Sequence, residues 1–321
     1  MTFFILNKEK IIIFDDCTIK YFLMTMTENN KETNEQLGVF VSTAKLLKQT
    51  LDKRYTSFLN NPKAGIVPTG FMEIDELIKG FKDGELTTIA VRPGIGKTAF
   101  LLSLINNIAV THGRTVGVFS AERSARKLFS RLIESSTGLS LNKINGRRLT
   151  DVQKNIIMPV VKNVSGANIY IDDATNPTAE SIIEKAKQMA EGGVEIIFID
   201  YLELLTSGFK TKDKVCNKDP FCPIVHKISE MTKEIGIPVV LFSQLSKPIV
   251  YNNRFKYTPD YVNEISDVLM FLNRPDFYHI NDIDDKEKGI AEVTVAKYGD
   301  ITEFKVAKLK FVESLDKYID I

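Results

Sequence analysis

From residue 65 onward, short apolar runs of strand length recur along the chain, at 85–91, 115–120, 168–172, 194–200, 237–243 and 267–272. Stretches with helical spacing separate most of them, such as 98–109 and 178–191. In 178–191 the residues Ile182, Ile183, Ala186 and Ala190 fall on one face, and Thr178 stands where a cap accepts a backbone N–H. Strands alternating with helices predict parallel pairing in a doubly wound α/β sheet. A nearly continuous run such as Ile196-Ile197-Phe198-Ile199 suits a strand covered on both faces. The pattern changes at the end: 291–297 and 304–311 alternate apolar and polar around Gly299-Asp300, which predicts an antiparallel hairpin at one sheet edge.

The first part of the chain reads differently. Residues 1–40 form a poorly organised segment, with a polar stretch rich in Asn, Glu and Thr at 24–36. A start codon assigned too early, with the true start near Met24 or Met26, is an open alternative. Residues 41–59 fit one amphipathic helix, with Leu46, Leu47, Leu51, Tyr55 and Leu59 at helical spacing and Asn60-Asn61-Pro62 as its stop. The expected division is therefore an N-terminal segment 1–40, a linker helix 41–64, and an α/β domain 65–321.

Composition narrows the class without choosing a function. The 321 residues are 44% hydrophobic and 26% charged, as in ordinary water-soluble domains. The apolar run Ile11–Phe14 near the start is too short for a membrane span or a signal-peptide core, so the expectation is a cytoplasmic protein with no membrane partner. Cys17, Cys216 and Cys222 are an odd count without metal-type spacing, and free thiols are the plain reading. A net charge of +1 argues neither for nor against nucleic acid, because local clustering decides that.

The chemistry begins after the run 85–91. Arg92-Pro93-Gly94-Ile95-Gly96-Lys97-Thr98-Ala99 lies between a strand and a helix, the context a phosphate-binding loop requires. Gly94 and Gly96 let backbone N–H groups turn toward phosphate oxygens, and the helix adds its positive end. Lys97 reaches the β- and γ-phosphates of ATP, and the Thr98 hydroxyl ligates Mg²⁺. The full pattern asks for glycine at the position of Val91, and a tight turn that merely contains Lys-Thr is the competing reading. Two carboxylates fit beside it. Asp200 ends the run Ile196–Ile199, at the carboxyl edge where such sheets bind ligands, and serves the metal. Glu122 follows the run 115–120 and serves as general base, or is a helix-start Glu favoured by the dipole. Gln244, at the end of another strand, stands where an amide can sense the γ-phosphate.

Together these residues resemble the RecA-type ATPase domain of DnaB-like replicative helicases, over residues 65–311. The resemblance opens with Pro68-Thr69-Gly70-Phe71-Met72-Glu73-Ile74-Asp75-Glu76-Leu77 and continues through the loop and Phe119-Ser120-Ala121-Glu122. Gly146-Arg147-Arg148-Leu149-Thr150, Ile171-Asp172-Asp173, Ile199-Asp200-Tyr201-Leu202-Glu203-Leu204, Ser243-Gln244-Leu245 and Asp267–Leu272 follow in the family's order. The resemblance implies ATP and Mg²⁺ as cofactors, with catalytic roles for Lys97, Glu122 and Gln244. It also implies a homo-oligomer in the form of a six-membered ring that moves on single-stranded DNA, with a primase or helicase loader as partner. The helix 41–59 resembles the family's linker helix, or packs on its own domain.

Two departures qualify the resemblance. Little chain precedes the linker for the family's helical N-terminal domain. The family also carries Lys-x-Arg in the last hairpin, whose Arg reaches the next subunit's ATP. Here Lys297 matches the Lys, so it joins the catalytic candidates, but Gly299 stands at the Arg. Such a finger is worth about 10³–10⁵ in rate, so hydrolysis is expected to be slow unless Lys297 or another arginine such as Arg274 substitutes. The alternative function is a nucleotide-binding assembly or adaptor protein with weak hydrolysis. For DNA, the stretches after Asp200 and Gln244 carry Lys210, Lys212, Lys214, Lys218, Lys247, Arg254 and Lys256, which can neutralise phosphates, and Tyr251, Phe255 and Tyr257, which can stack bases. A pair of solvated loops is the plainer reading of the same residues.

Overall fold

Among the described residues, nine strands join in one sheet in the order β11-β10-β9-β8-β3-β7-β6-β4-β5. The strands are β3 (Leu86–Val91), β4 (Val116–Ser120), β5 (Ile169–Asp172), β6 (Ile196–Asp200), β7 (Val239–Gln244), β8 (Val268–Asn273), β9 (Ile290–Tyr298), β10 (Lys305–Val312) and β11 (Lys317–Asp320). This computed structural model describes residues 65–139, 150–208, 219–244, 260–278, 288–299 and 304–321. All of them belong to one unit, Gly65–Ile321. The N-terminal segment, the linker helix and the lysine-bearing stretches 209–218 and 245–259 lie outside the described residues.

Strands β8, β3, β7, β6, β4 and β5 run parallel, each joined to its neighbours in register. The hairpin β9–β10 is antiparallel and packs on β8, as its alternation predicts. A last strand, β11, extends that edge by pairing Leu309–Val312 with Lys317–Asp320. The segment Lys317-Tyr318-Ile319-Asp320 does not alternate apolar and polar, so periodicity does not announce the strand. A separate two-stranded ribbon, β1 (Ile66–Val67) with β2 (Phe81–Lys82), flanks helix α1 (Met72–Ile78).

Each central strand feeds two cores, because successive side chains point to opposite faces. In β6, Ile196 and Phe198 enter one cluster while Ile197 and Ile199 enter the other. The first cluster is covered by α1, α2 (Lys97–Ile105), α3 (Ala125–Thr137) and α4 (Asp151–Gly166), through residues such as Ile74, Phe100, Leu128 and Val164. The second is covered by α5 (Ala179–Glu191), α6 (Cys222–Ile235) and α7 (Asp260–Ile265), through Ile182, Val225 and Val262. Coverage of both faces is why the runs are apolar throughout rather than alternating.

Local signals start and stop the helices. Thr178 caps α5 by accepting from the Ser181 N–H at 3.2 Å, as its position predicts. Thr150 and Gln153 form a reciprocal capping box on α4. Helix α2 begins at Lys97, one residue before the sequence expectation, and widens into a π-turn over Asn106–Thr111. Cys222 is disulfide-bonded, which corrects the expectation of free thiols. No helix among the described residues is long and apolar enough to cross a membrane.

Candidate active site

The segment Arg92–Thr98, the candidate phosphate-binding loop, leaves the end of β3 and enters α2. Gly94 has φ +83° and Gly96 φ +98°, both in the left-handed region that side chains disfavour. A Cβ on Gly96 would stand 3.1 Å from the Tyr318 hydroxyl, and one on Gly94 would stand 3.0 Å from the Phe277 ring. Arg92, Pro93 and Gly94 keep the rim of the loop accessible, while Ile95 and Ala99 are buried and anchor it. Thr98 is buried at the first turn of α2. Val91, where a longer loop pattern has glycine, is still in the sheet: it is fully buried and paired with Gln244 and Leu272. Ordinary strand geometry there needs no glycine.

The two acids converge on Lys97. Its Nζ lies 2.5 Å from Asp200 Oδ1 and 3.0 Å from Glu122 Oε2, and 3.3 Å from the centroid of the Tyr201 ring. Asp200 is 103 residues away in sequence, and strand order closes that gap: β4 and β6 are neighbours, Ser120 pairs with Asp200, and the Ala121 N–H donates to the Asp200 carbonyl at 2.9 Å. Asp200 has no exposed surface. Burial pushes its carboxyl above the usual range, while the charge and hydrogen bond of Lys97 pull it back. Its second oxygen, Oδ2, is buried without a hydrogen-bond partner. Glu122 is more open, with 34% of its side chain exposed. A cavity beside Asp200, between β4, β5, β6 and α5, is lined by Ser120, Asp172 and Lys185.

Gln244 lies beside Val91 in register, so the end of β7 borders the phosphate loop. Glu203 holds that end in place. Its carboxylate accepts from the Ser243 hydroxyl at 2.6 Å and from the Gln244 N–H at 3.0 Å, and burial raises its pKa. Sequence reasoning assigned Glu203 no task. The available signal was an acid embedded in the apolar stretch Tyr201–Leu205. Tyr318 on β11 was also missed. Its hydroxyl donates to the Ile95 carbonyl inside the loop, and its N–H donates to Ser103 Oγ at 3.0 Å. Its ring packs against Phe100 and Phe311. An aromatic residue in a short final strand carries no local mark of that role.

The sequence profile described as DnaB-like helicase C terminal domain matches residues 66–320. The chain belongs to this family. It is 28% identical to the replicative DNA helicase DnaB of Geobacillus stearothermophilus, over 88% of this chain and 63% of that protein. It is equally 28% identical to the replicative DNA helicase DnaC of Bacillus subtilis, over 86% of this chain and 62% of that protein. The chain thus spans about three fifths of the length of these relatives. Among solved structures, one described as an ATPase domain superposes with a TM-score of 0.68 at 26% identity, covering 86% of this chain and 98% of that one. A DnaB-like replicative helicase studied in its interactions with primase has the same fold, with a TM-score of 0.68 at 23% identity, covering 95% of this chain and 71% of that one.

Within this DnaB-type domain the last hairpin stands apart from the cluster. Lys297 pairs with Leu269 at the start of β8, toward the opposite end of the sheet from the loop that follows β3. Its Nζ donates to the Asn263 and Glu264 carbonyls at 2.8 and 3.2 Å, so the structure does not bring it to Lys97. Gly299 has φ +58°, a conformation that disfavours the arginine found there in the DnaB-like pattern. Arg274 directly follows β8. It is buried, pairs with Asp276 through two nitrogens at 3.3 and 3.2 Å, and stacks 4.0 Å over Phe311.

Magnesium suits the residues present. Groups of three or more potential His, Cys, Asp or Glu ligands are absent among the described residues. Mg²⁺ takes one or two protein oxygens and completes its shell with phosphate and water. The buried Thr98 hydroxyl and the unpartnered Asp200 Oδ2 are such oxygens.

Proposed function

We propose that this chain binds ATP and Mg²⁺ at residues Arg92–Ala99 and hydrolyses ATP to drive movement on single-stranded DNA during replication. The observation that carries this reading is the convergence of Asp200 and Glu122 on Lys97, at 2.5 and 3.0 Å. Lys97 is held by two acids. Terminal phosphates compete for the same cation, so nucleotide binding releases Glu122 to accept a proton. The water oxygen then bonds to the γ-phosphorus, the bond to the bridging oxygen breaks, and that electron pair stays on ADP. The water's proton passes to Glu122. Thr98 and Asp200 would hold the metal, which neutralises charge on the phosphate oxygens when bound. Gln244, fixed by Glu203 beside the loop, reports the state of the γ-phosphate to the stretch that follows β7.

Family membership supports a ring of six copies, cytoplasmic, with residues 41–64 as the linker and 65–321 as the ATPase domain. It also supports a primase or helicase loader as a further partner. Lys210, Lys212, Lys214, Lys247, Arg254 and Lys256 are the proposed phosphate contacts on DNA. The position of Lys297, away from its own site, supports a role at a neighbouring subunit's nucleotide. The test is ATP turnover with and without single-stranded DNA, in the unaltered chain and in Glu122→Gln. DNA-stimulated turnover lost in the variant is expected. Nucleotide binding without turnover under every DNA condition refutes the helicase reading. That outcome favours the second one, an ATP-binding assembly or adaptor protein, which Gly299 motivates.

A further inference from the structure

We propose that Arg123 supplies, from within the same chain, the cationic contact to the transferred phosphate that Gly299 cannot provide. The inference rests on the ATPase reading above and adds a catalytic residue to it.

Arg123 directly follows Glu122 in the turn between β4 and α3. The turn is fixed from both sides. Ser120 Oγ donates to the Arg123 carbonyl at 2.7 Å and accepts from the Arg123 N–H at 3.3 Å. The guanidinium Nη2 stands 3.7 Å from Glu122 Oε1, while Glu122 Oε2 accepts from Lys97 at 3.0 Å. One carboxylate therefore joins the guanidinium to the phosphate-loop lysine. The Arg123 charge also acts on the Asp200 carboxyl, which places it within electrostatic reach of the metal-side acid.

Hydrogen-bond accounting adds an independent observation. Buried polar atoms are almost always paired, so an exception asks for a ligand. Among the described residues, the buried side-chain atoms left without a partner are Asp200 Oδ2 and Arg123 Nε. One is an acceptor, the other a donor, and they belong to the same cluster. An acceptor fits a cation and a donor fits an oxyanion, as a metal–phosphate pair requires.

Other arginines near the sheet are already committed to carboxylates. Arg114 pairs with Glu195, Arg131 with Asp316, and Arg274 with Asp276. The Arg123 side chain is 37% exposed, and its Glu122 contact at 3.7 Å is beyond hydrogen-bond length. It can turn toward the γ-phosphate without abandoning a strong bond. In that position it neutralises charge gathering on the transferred oxygens as the bond to ADP breaks. An arginine in the same chain plays this part in other nucleotide hydrolases.

The test uses the full chain with ATP, magnesium and single-stranded DNA, and compares Arg123→Gln, Arg123→Lys and the unaltered protein. Arg123→Gln is expected to lower kcat by about 10²–10³ while KM stays within about threefold, because the contact strengthens only in the transition state. Arg123→Lys, which keeps the charge and the fold, is expected to recover part of the loss. Mixing Arg123→Gln with Lys97→Met subunits is expected to restore nothing, since each chain needs its own arginine. Recovery of turnover in the mixture overturns a same-chain role. A kcat within about threefold of normal in both Arg123 variants, with turnover intact in the unaltered chain, overturns the inference while leaving the ATPase reading standing. No turnover in the unaltered chain overturns both.

Discussion

Replacing Lys97 with Met removes a charge and keeps an unbranched stem. This charge lies 2.5 Å from Asp200, which has no solvent exposure, and only 10% of the Lys97 side chain is exposed. Removing one partner of a buried pair costs about 3–5 kcal/mol, because the surviving charge stays desolvated. The Glu122 contact adds little, since that carboxylate is 34% exposed and solvent screens it. The sign of the pH dependence follows from Asp200. Burial raises its folded pKa, so the folded state is favoured below the unfolded value and loses that advantage as pH rises through the folded one. Lys97 limits the loss, and without it the folded value climbs further. The cost of Lys97→Met is therefore largest above both values and shrinks in acid. The chain has no Trp, so urea unfolding is best followed by far-ultraviolet circular dichroism. With an m-value of about 3 kcal/mol/M, the midpoint should fall by about 1 M near pH 8. Near pH 5 the fall should be less than about half of that. Adding Asp200→Asn should recover most of the loss, because no buried charge is then left unpaired. A midpoint shift under about 0.3 M near pH 8, or one equal at both pH values, refutes this account of the Lys97–Asp200 pair.

Tyr318→Phe deletes the hydroxyl that bonds to the Ile95 carbonyl but keeps the ring against Phe100 and Phe311. Nucleotide affinity, measured by titration with a fluorescent ATP analogue, should weaken by about three- to tenfold, equivalent to one hydrogen bond. An unchanged affinity would show that β11 does not shape the loop. Glu203→Gln replaces one of two accepting oxygens with a donor, so the Ser243 hydroxyl and the Gln244 N–H cannot both be satisfied as before. We expect kcat to fall about tenfold with KM little changed, as for a group acting on the reacting complex. A rise in KM alone would assign Glu203 to nucleotide binding instead.

The loop and both acids were legible because each sits at a strand end, and strand ends show in the hydrophobic pattern. Gly94, Gly96, Lys97 and Thr98 are consecutive or nearly so, and their local spacing carries the geometry. Lys297 was legible only by resemblance, and the chain's own contacts place it on the carbonyls of α7. The burial of Arg274 was not legible, because the Phe311 ring it lies over comes from β10 and meets the end of β8 only when the sheet assembles. Glu203 and Tyr318 were silent for a related reason. A buried hydrogen bond between distant residues leaves no periodicity behind.

The sequence by itself determined the alternating elements, the two-faced burial of the central strands, and the loop between β3 and α2 with its turn glycines. These follow from periods of two and about 3.6 residues and from backbone sterics, all of which act over a few residues. Only the tertiary structure decided that β6 lies beside β4, which puts Asp200 next to Ser120, and that β7 lies beside β3, which puts Gln244 next to Val91. It likewise decided that the last strand returns to bond the loop through Tyr318. Strand order arises from burying two hydrophobic faces at once, a condition on the whole chain that no local spacing encodes.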